Sequence, residues 1–286
     1  MSSTSSSVHA VRGAFLDFID DPFYVSELES VRYIADGLLV IVEGAIAAFD
    51  KAIQINPNFP EAWLGRGIAL AGLERYKEAI IAYSNALQIE GNFLEAWNLR
   101  GEALEKLQQY EEAIACFDKV ISLSSEAEIT SKVGLQQGAA LEKLQRYEDA
   151  VAAYNRVIKI VPDNFEAWLK RGNALSNLQQ YEQALASYDR AITIWPDSYQ
   201  GWVQRGLILD KMQRYSEALV AFDQVIQLKP DNWEAWAQRG DILQKLQRTQ
   251  DAITSYGVAL EIKPDYYEAL VNREELRLKG VMSGKW

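Results

Sequence analysis

One spacing dominates the sequence: Pro162, Pro196, Pro230 and Pro264 follow one another at intervals of 34 residues. Two longer segments return with the same period, which three additional residues, 128–130, lengthen once. The first reads "EAWLGRGIAL", "EAWNLRGEAL", "EAWLKRGNAL", "QGWVQRGLIL" and "EAWAQRGDIL", and the second includes "QYEEAIACFDKVI", "RYEDAVAAYNRVI" and "QYEQALASYDRAI". A unit of this length cannot bury its apolar face alone, so such a chain folds by stacking one unit on the next.

Each unit contains two helical patterns. Trp168, Gly172 and Leu175 lie at i, i+4 and i+7, which is one face of a helix, and the second segment repeats that spacing around Tyr188. The glycine is small where two helices must approach closely, and the aromatic residues are large enough to fill the space between neighbours. Pro196 ends the unit, because the residue before a proline disfavours the helical conformation.

The period and these residues resemble the tetratricopeptide repeat (TPR) family over about residues 43–280. The resemblance implies an all-α, right-handed α-solenoid of stacked antiparallel helix pairs, preceded by a short irregular or β-like segment. We divide the chain as follows: an N-terminal segment 1–42, a half unit 43–59, full units 60–93, 94–127, 131–164, 165–198, 199–232 and 233–266, a capping helix 267–279 and a tail 281–286. Positions below are counted from the first residue of each full unit and from residue 267 of the capping helix.

The third unit departs from the pattern. Gly134 replaces the tryptophan, and three additional residues, 128–130, precede the unit. The segment "SEAE" from Ser125 to Glu128 has the form of a capping box, so we expect a first helix lengthened by almost one turn. A tolerated irregularity and a functional bend are both compatible with this pattern.

A different pattern precedes the half unit. Leu38 to Val42 is a run of β-favouring residues, and the segment from 12 to 44 contains "RGAFLDF", "ESVRY" and "DGLLV". These words resemble the extreme N-terminus of guanine deaminase, a zinc amidohydrolase, in which the segment supplies strands of a small β domain. A natural gene fusion and a misassembled reading frame both fit such a junction.

The enzymatic part of that family is not expected here. Amidohydrolases hold their metal with several histidines, and His9 is the single histidine of this chain. The single cysteine, Cys116, has no base beside it in the pattern, and no glycine-rich phosphate loop occurs. We therefore expect no catalytic, cofactor-binding or metal-binding residues.

The charge balance limits the partners. The formal net charge is −11 and the isoelectric point is about 4.8, whereas nucleic acids and anionic membranes attract basic surfaces. The chain shows no signal-peptide pattern and no apolar run of membrane-spanning length, so we expect a soluble cytoplasmic protein.

An arginine occupies the seventh position of nearly every unit. Each side chain is expected either to cover a neighbouring aromatic ring and pair with a carboxylate, or to face a ligand as part of a basic row. The residues are Arg66, Arg100, Arg171, Arg205, Arg239 and Arg273, with Gln137 in the third unit.

The TPR resemblance implies that the first helices line a concave groove that binds segments of other proteins. We predict that positions two, five, nine, twelve and thirteen of each unit face the groove and form an acidic edge, an apolar stripe and a lysine edge. The predicted binding residues are Glu61, Leu64, Ile68, Glu95, Asn98, Glu102, Leu135, Glu166, Leu169, Asn173, Val203, Leu207, Glu234, Asp241, Lys211 and Lys245. Position five contains no lysine, which argues against the clamp that some TPR proteins use for chaperone carboxylates.

These observations predict a non-catalytic interaction scaffold whose partner is a protein or peptide with apolar and basic residues. One alternative is a regulator that docks on an intact guanine deaminase through its N-terminal fragment. Another is a fusion whose N-terminal fragment has no function. The oligomeric state is not indicated by the sequence.

Overall fold

A computed structural model of the chain describes residues 41–282, with side-chain surroundings described to residue 279. This part of the chain contains fourteen α-helices and no strand. The helices are α1 (41–55), α2 (Pro60–Gly72), α3 (Tyr76–Ile89), α4 (Leu94–Lys106), α5 (Tyr110–Leu123), α6 (Ala127–Lys143), α7 (Tyr147–Ile160), α8 (Phe165–Asn177), α9 (Tyr181–Ile194), α10 (Tyr199–Lys211), α11 (Tyr215–Leu228), α12 (Trp233–Lys245), α13 (Thr249–Ile262) and α14 (Tyr267–Met282). The predicted all-α class is confirmed.

The chain divides into two compact units, Met1–Leu144 and Gln145–Trp286, whose described parts hold α1–α6 and α7–α14. From here on, first unit and second unit mean these two parts, and the 34-residue units of the sequence are called repeats. Within each unit, helices that follow one another in sequence pack together, for example α2 with α3 and α12 with α13. Because the connecting turns are short, neighbouring helices run antiparallel. We call α2, α4, α6, α8, α10, α12 and α14 the first helices, and the others the second helices.

A repeated turn joins first helices to second helices. After α2, the backbone N–H of Arg75 donates to the carbonyl of Leu70 and that of Glu74 to Ala71, which is the Schellman arrangement. Glu74 has a φ of 60°, in the left-handed region that non-glycine residues seldom adopt. Glutamine occupies this position in the later turns, at Gln108, Gln145, Gln179, Gln213 and Gln247. The hydrogen bonds that close the turn outweigh the conformational cost.

The recurrent glycine is explained by close contact with an aromatic ring. A Cβ atom on Gly172 of α8 would lie 2.4 Å from Cε1 of Tyr188 on α9, so no larger residue fits without displacing the ring. The recurrent tryptophan is tied to the recurrent proline, because the indole N–H of Trp168 donates to the carbonyl of Pro162 at 2.8 Å. The period therefore reflects two recurrent contacts, and the tryptophan bond persists where the proline is absent, since Trp97 donates to the carbonyl of Gly91 at 2.9 Å.

Each unit has its own apolar interior. In the second unit, a continuous cluster of buried side chains runs from Leu175 to Leu276 and includes Tyr188, Phe222 and Tyr256. In the first unit, the buried residues include Tyr83 and Phe117 of the second helices. Burial of these large rings is the main stabilising contribution to such helix pairs.

The third repeat (131–164) shows the predicted helix extension but not the predicted capping box. Helix α6 has 17 residues, whereas α4 and α8 have 13 each. The residue that caps α6 is Glu126, and its side chain makes no capping bond. A Ser125–Glu128 capping box is therefore out of register by one residue. The nearby bond runs instead from the backbone N–H of Glu126 to Oγ of Ser124 at 3.1 Å.

The start of the described chain differs from the sequence-based expectation at two residues. Ile41 and Val42, the end of the predicted strand-like run, are helical and belong to α1. The remainder of the N-terminal prediction, including the guanine-deaminase-like words up to residue 40, lies outside the described residues. At the other end, α14 continues to Met282, beyond the predicted limit of the capping helix. Among the described residues, no helix is both long and apolar enough to span a bilayer.

Candidate protein-binding surface on the first helices

The arginine row joins four of the described first helices, α2, α8, α10 and α12, to the preceding second helix. The Nε of Arg239 on α12 donates to Oδ1 of Asp223 on α11 at 2.7 Å. The same 2.7 Å contact recurs between Arg66 and Asp50, Arg171 and Asn155, and Arg205 and Asp189. In the third repeat, the Nε2 of Gln137 donates to Asp118 at 2.6 Å.

Two further contacts occupy the same guanidinium groups. The Nη1 of Arg239 donates to Oγ of Ser255 on α13 at 2.6 Å, and its guanidinium carbon lies 5.8 Å from the centre of the Trp236 ring. Arg171 repeats both contacts with Ser187 and Trp168. These arginines therefore connect three helices, which supports the structural interpretation of the row over a ligand-facing one.

The predicted acidic edge is accessible to solvent. The glutamates at position two of the regular first helices are all exposed, and Glu268 of α14 continues the row. The glutamates in question are Glu61, Glu95, Glu166 and Glu234. Glu166 makes one weak contact, 3.7 Å from the Nζ of Lys170 one turn away. Most of the charge of this row therefore remains available to a partner.

The predicted apolar stripe at position five is narrower than expected. Leu64 is 7% exposed and belongs to the interior of the first unit, so its assignment as a groove residue is corrected. Leu169 is half-buried and packs against the core of the second unit, while Leu135 and Val203 are also half-buried. The prediction fails at Leu64 because helical spacing alone does not distinguish a residue at the edge of the core from one beyond it.

The residues at position nine contact side chains of the protein itself. In the second unit, the hydroxyl of Tyr188 donates to Oδ1 of Asn173 at 2.9 Å, and the hydroxyl of Tyr256 donates to Oδ1 of Asp241 at 2.6 Å. Leu207, between them in the series, packs against the core. The tyrosines that fill the interior therefore also fix polar groups on the first helices, a role that sequence reasoning did not assign to them.

The first unit fixes its position-nine carboxylate differently. Oε1 of Glu102 accepts from the Nδ2 of Asn98 and from the Nε2 of Gln136 on α6, both at 2.9 Å. Ile68, at position nine of α2, is 45% exposed and is the most accessible apolar residue of the predicted set in this unit. Glu105 lies one turn beyond Glu102, and burial together with the Glu102 charge raises the pKa of Glu105 to about 7.

The predicted lysine edge is partly neutralised. The Nζ of Lys245 on α12 lies 2.5 and 2.7 Å from the two carboxylate oxygens of Asp210 on α10. The Nζ of Lys211 lies 3.4 Å from Oγ of Ser176 on α8. These contacts join neighbouring first helices within the second unit. Asp210 and Ser176 share position twelve, one residue before the lysine position. Because each lysine contacts the preceding repeat, the sequence of a single repeat does not reveal this pairing.

Position six also contributes to this face, although the sequence analysis did not include it. The Nδ2 of Asn272 on α14 lies 3.3 Å from Oδ1 of Asp241, and Gln136 makes the corresponding contact to Glu102. A recurrent amide at this position was the available signal. Asp241, Gln244, Lys245 and Glu268 together line an open cleft of about 450 Å³.

The described residues contain no cluster of three or more histidine, cysteine or carboxylate side chains suited to a metal. Cys116 is buried in α5 and receives a hydrogen bond from the Nη1 of Arg100 at 3.4 Å. Burial is the main reason that the pKa of the Cys116 thiol is raised, which lowers its nucleophilic fraction.

Comparison with protein families supports the repeat assignment. Family models described as tetratricopeptide repeat or TPR repeat match residues 42–74, 60–93, 94–126, 135–199, 199–232 and 234–266. The resemblance of residues 12–44 to guanine deaminase receives no support from these comparisons. An uncharacterized protein of Methanocaldococcus jannaschii is 47% identical over 38 residues, which are 13% of this chain. The match covers 44% of the length of that relative.

Solved structures show the same fold at low identity. The C-terminal part of a TPR repeat-containing protein from Cytophaga hutchinsonii is 17% identical, with a TM-score of 0.70 over 84% of this chain and 98% of that one. MamA from Desulfovibrio magneticus RS-1 is 19% identical, with a TM-score of 0.55 over 60% of this chain and 96% of the other. These likenesses concern the arrangement of the helices.

Proposed function

Since this chain is built of tetratricopeptide repeats, we propose that it is a non-catalytic scaffold that binds a segment of another protein along its first helices. The supporting observation is the unequal use of charged side chains. Arginines such as Arg239 bind neighbouring helices, whereas the position-two glutamates Glu166 and Glu234 are exposed. The first helices therefore present acidic groups that the fold itself does not use.

We propose that the partner segment carries basic and apolar residues. Basic residues suit the exposed glutamates, whose charges steer the encounter and set its salt dependence. Apolar contact is provided by a smaller set of residues than the sequence suggested. Ile68 is 45% exposed in the first unit and Val271 is 53% exposed in the second. Leu169 and Val203 offer the edges of half-buried side chains.

The polar groups beside this surface are already ordered. Asn173 and Asp241 are held by tyrosine hydroxyls, and Glu102 is held by two amides. Groups that are fixed before binding lose less conformational entropy when a partner arrives. The arrangement therefore favours recognition of a defined segment over non-specific attraction to any basic protein.

The test uses peptides selected from a random library displayed on phage against the full chain. Selected peptides are measured against the double variant Glu166→Lys with Glu234→Lys. The matched control is Glu148→Lys with Glu182→Lys, which makes the same charge change on exposed residues of the second helices α7 and α9. We expect about tenfold slower association for the first-helix variant at low salt, because charge steering is lost, and little change for the control.

Two results contradict the proposal. Selected peptides that bind both double variants as well as the unaltered chain place the interface away from the first helices. A selection that yields no binding peptide removes the support for segment recognition. Circular dichroism of each variant verifies that the helices remain folded.

A further inference from the structure

The cleft between α12 and α14 contains two fixed carboxylates. Oδ1 of Asp241 accepts from the hydroxyl of Tyr256 at 2.6 Å and from the amide of Asn272 at 3.3 Å. Oε2 of Glu268 accepts from the hydroxyl of Tyr266 at 2.9 Å. All three donors are neutral, so they orient the carboxylates without compensating their charge.

Among the described residues, Lys245 is the one cation that lines this cleft, and it is already paired. Both carboxylate oxygens of Asp210 lie within 2.7 Å of the Nζ of Lys245, on the side of the preceding first helix. The same ammonium lies 5.6 Å from the centre of the Tyr215 ring. Asp241 and Glu268 therefore bring two negative charges to a cleft whose lysine is paired elsewhere.

The charge at position 241 is not needed for the local packing. The Asn173–Tyr188 pair in the same second unit has the same geometry with an uncharged acceptor, at 2.9 Å. In the repeat between them the ring is Phe222, which has no hydroxyl, and the position is occupied by Leu207. A half-buried carboxylate is costly where an amide serves the fold equally well, which indicates a role beyond folding. Burial is the main reason that the pKa of Asp241 is raised; the Glu268 charge adds to it, while the Tyr256 and Asn272 hydrogen bonds and the Lys245 charge act in the opposite direction.

We propose that this cleft binds the cationic end of a lysine or arginine side chain of the partner segment. The proposal rests on the proposed function and names the site on the first helices that selects the partner. Gln244 accepts from Tyr256 at 3.2 Å and lines the cleft beside the two carboxylates. Val271 follows Glu268 by three residues on α14 and is 53% exposed, so it offers an apolar contact beside the acidic cleft. The preferred segment therefore has a basic residue close to an apolar one.

The experiment uses the full chain and the same random peptide library. Asp241→Asn removes the charge and reproduces the native Asn173–Tyr188 pair, so the fold is preserved. Glu261→Gln removes one charge from the exposed end of α13 and serves as the matched control. Peptides selected on the unaltered chain are expected to share a lysine or arginine, to bind Asp241→Asn at least tenfold more weakly, and to bind Glu261→Gln unchanged.

A second measurement assigns the contact to one side chain of the peptide. Replacing its shared lysine by norleucine, or its arginine by citrulline, should weaken binding to the unaltered chain and have little further effect on Asp241→Asn. Such coupling is the signature of a direct pair. The proposed pocket is overturned if the peptide change and Asp241→Asn weaken binding independently of each other. It is also overturned if the peptides bind the unaltered chain and Asp241→Asn equally well.

The failures of the two proposals are distinguishable. If peptide binding is weakened by Glu166→Lys with Glu234→Lys but not by Asp241→Asn, the first-helix surface is supported and the proposed pocket is rejected. Peptides that are indifferent to both changes, or an empty selection, remove both proposals.

Discussion

Two junctions of the second unit place the same residue in different surroundings. At α12, Arg239 bonds Asp223 of the preceding second helix and Ser255 of the following one. At α14, Arg273 occupies the same position of the repeat, but the residue sixteen places earlier is Gly257. The Nε of Arg273 donates instead to Oε1 of Glu274, its neighbour in sequence, at 3.0 Å.

The comparison shows that residues at the same position of the repeat make different contacts when the neighbouring helices carry different residues. Arg239 and Arg273 share one position of the repeat, and the residues on the adjacent helices decide what each of them binds. The glycine position behaves in the same way. Gly240 of α12 leaves room for the ring of Tyr256, whereas α14, after which the structure describes no further helix, carries Glu274 there.

The largest effect is expected from Gly240→Ala. The new Cβ would lie 2.6 Å from Cε1 of Tyr256, a fully buried ring that cannot move aside. We expect a loss of about 2 kcal/mol in the free energy of unfolding, as for other overpacked cores. Equilibrium urea unfolding followed by circular dichroism measures it.

The control for that change is Gly257→Ala on α13. A Cβ at Gly257 has no atom within 4 Å, and alanine favours helix over glycine by about 1 kcal/mol. This variant should therefore be more stable than the unaltered chain. Equal effects at the two glycines would contradict the account of the glycine position.

A smaller effect is expected from removing the arginines. Arg239→Ala should cost about 1–2 kcal/mol, because a guanidinium that bonds two helices and covers Trp236 is lost. Arg273→Ala should cost less than half as much, because Arg273 bonds a residue of its own helix. Both are measured by the same urea titration, and a similar loss at both sites would mean that the bonds between helices contribute little.

The smallest effect is expected from Gly257→Asp, which supplies the missing partner for Arg273. We expect the ion pair itself to contribute about 0.5 kcal/mol, the usual scale of a partly exposed pair, whereas aspartate, a much poorer helix former than alanine, gives up most of the propensity gain of Gly257→Ala. The same substitution in an Arg273→Ala background isolates the pair by a double-mutant cycle. A coupling energy of zero would show that Arg273 cannot reach residue 257.

The sequence anticipated the repeated contacts. The 34-residue spacing, Gly172 with Tyr188, and Trp168 with Pro162 all recur, so a single helix pair was enough to interpret the others. It also indicated that α6 is longer than its counterparts. It did not indicate that Glu126 rather than Ser125 caps α6, because the cap depends on where the backbone enters the helix.

The candidate site was less predictable, because its residues contact other repeats. Leu64 was predicted as a groove residue and is buried, and Lys245, predicted on the lysine edge of the groove, is paired with Asp210, 35 residues away. The tyrosine that fixes Asp241 was assigned only to the core.

The sequence by itself therefore determined the helix pairs, their order and the residues that make them pack, since each of these follows from short-range spacing repeated many times. The tertiary structure decided which charges are consumed by the fold and which remain for a partner. The physical reason is that an ion pair or a hydrogen bond between side chains depends on a separation of about 3 Å, and only the stacking of the helices sets that separation.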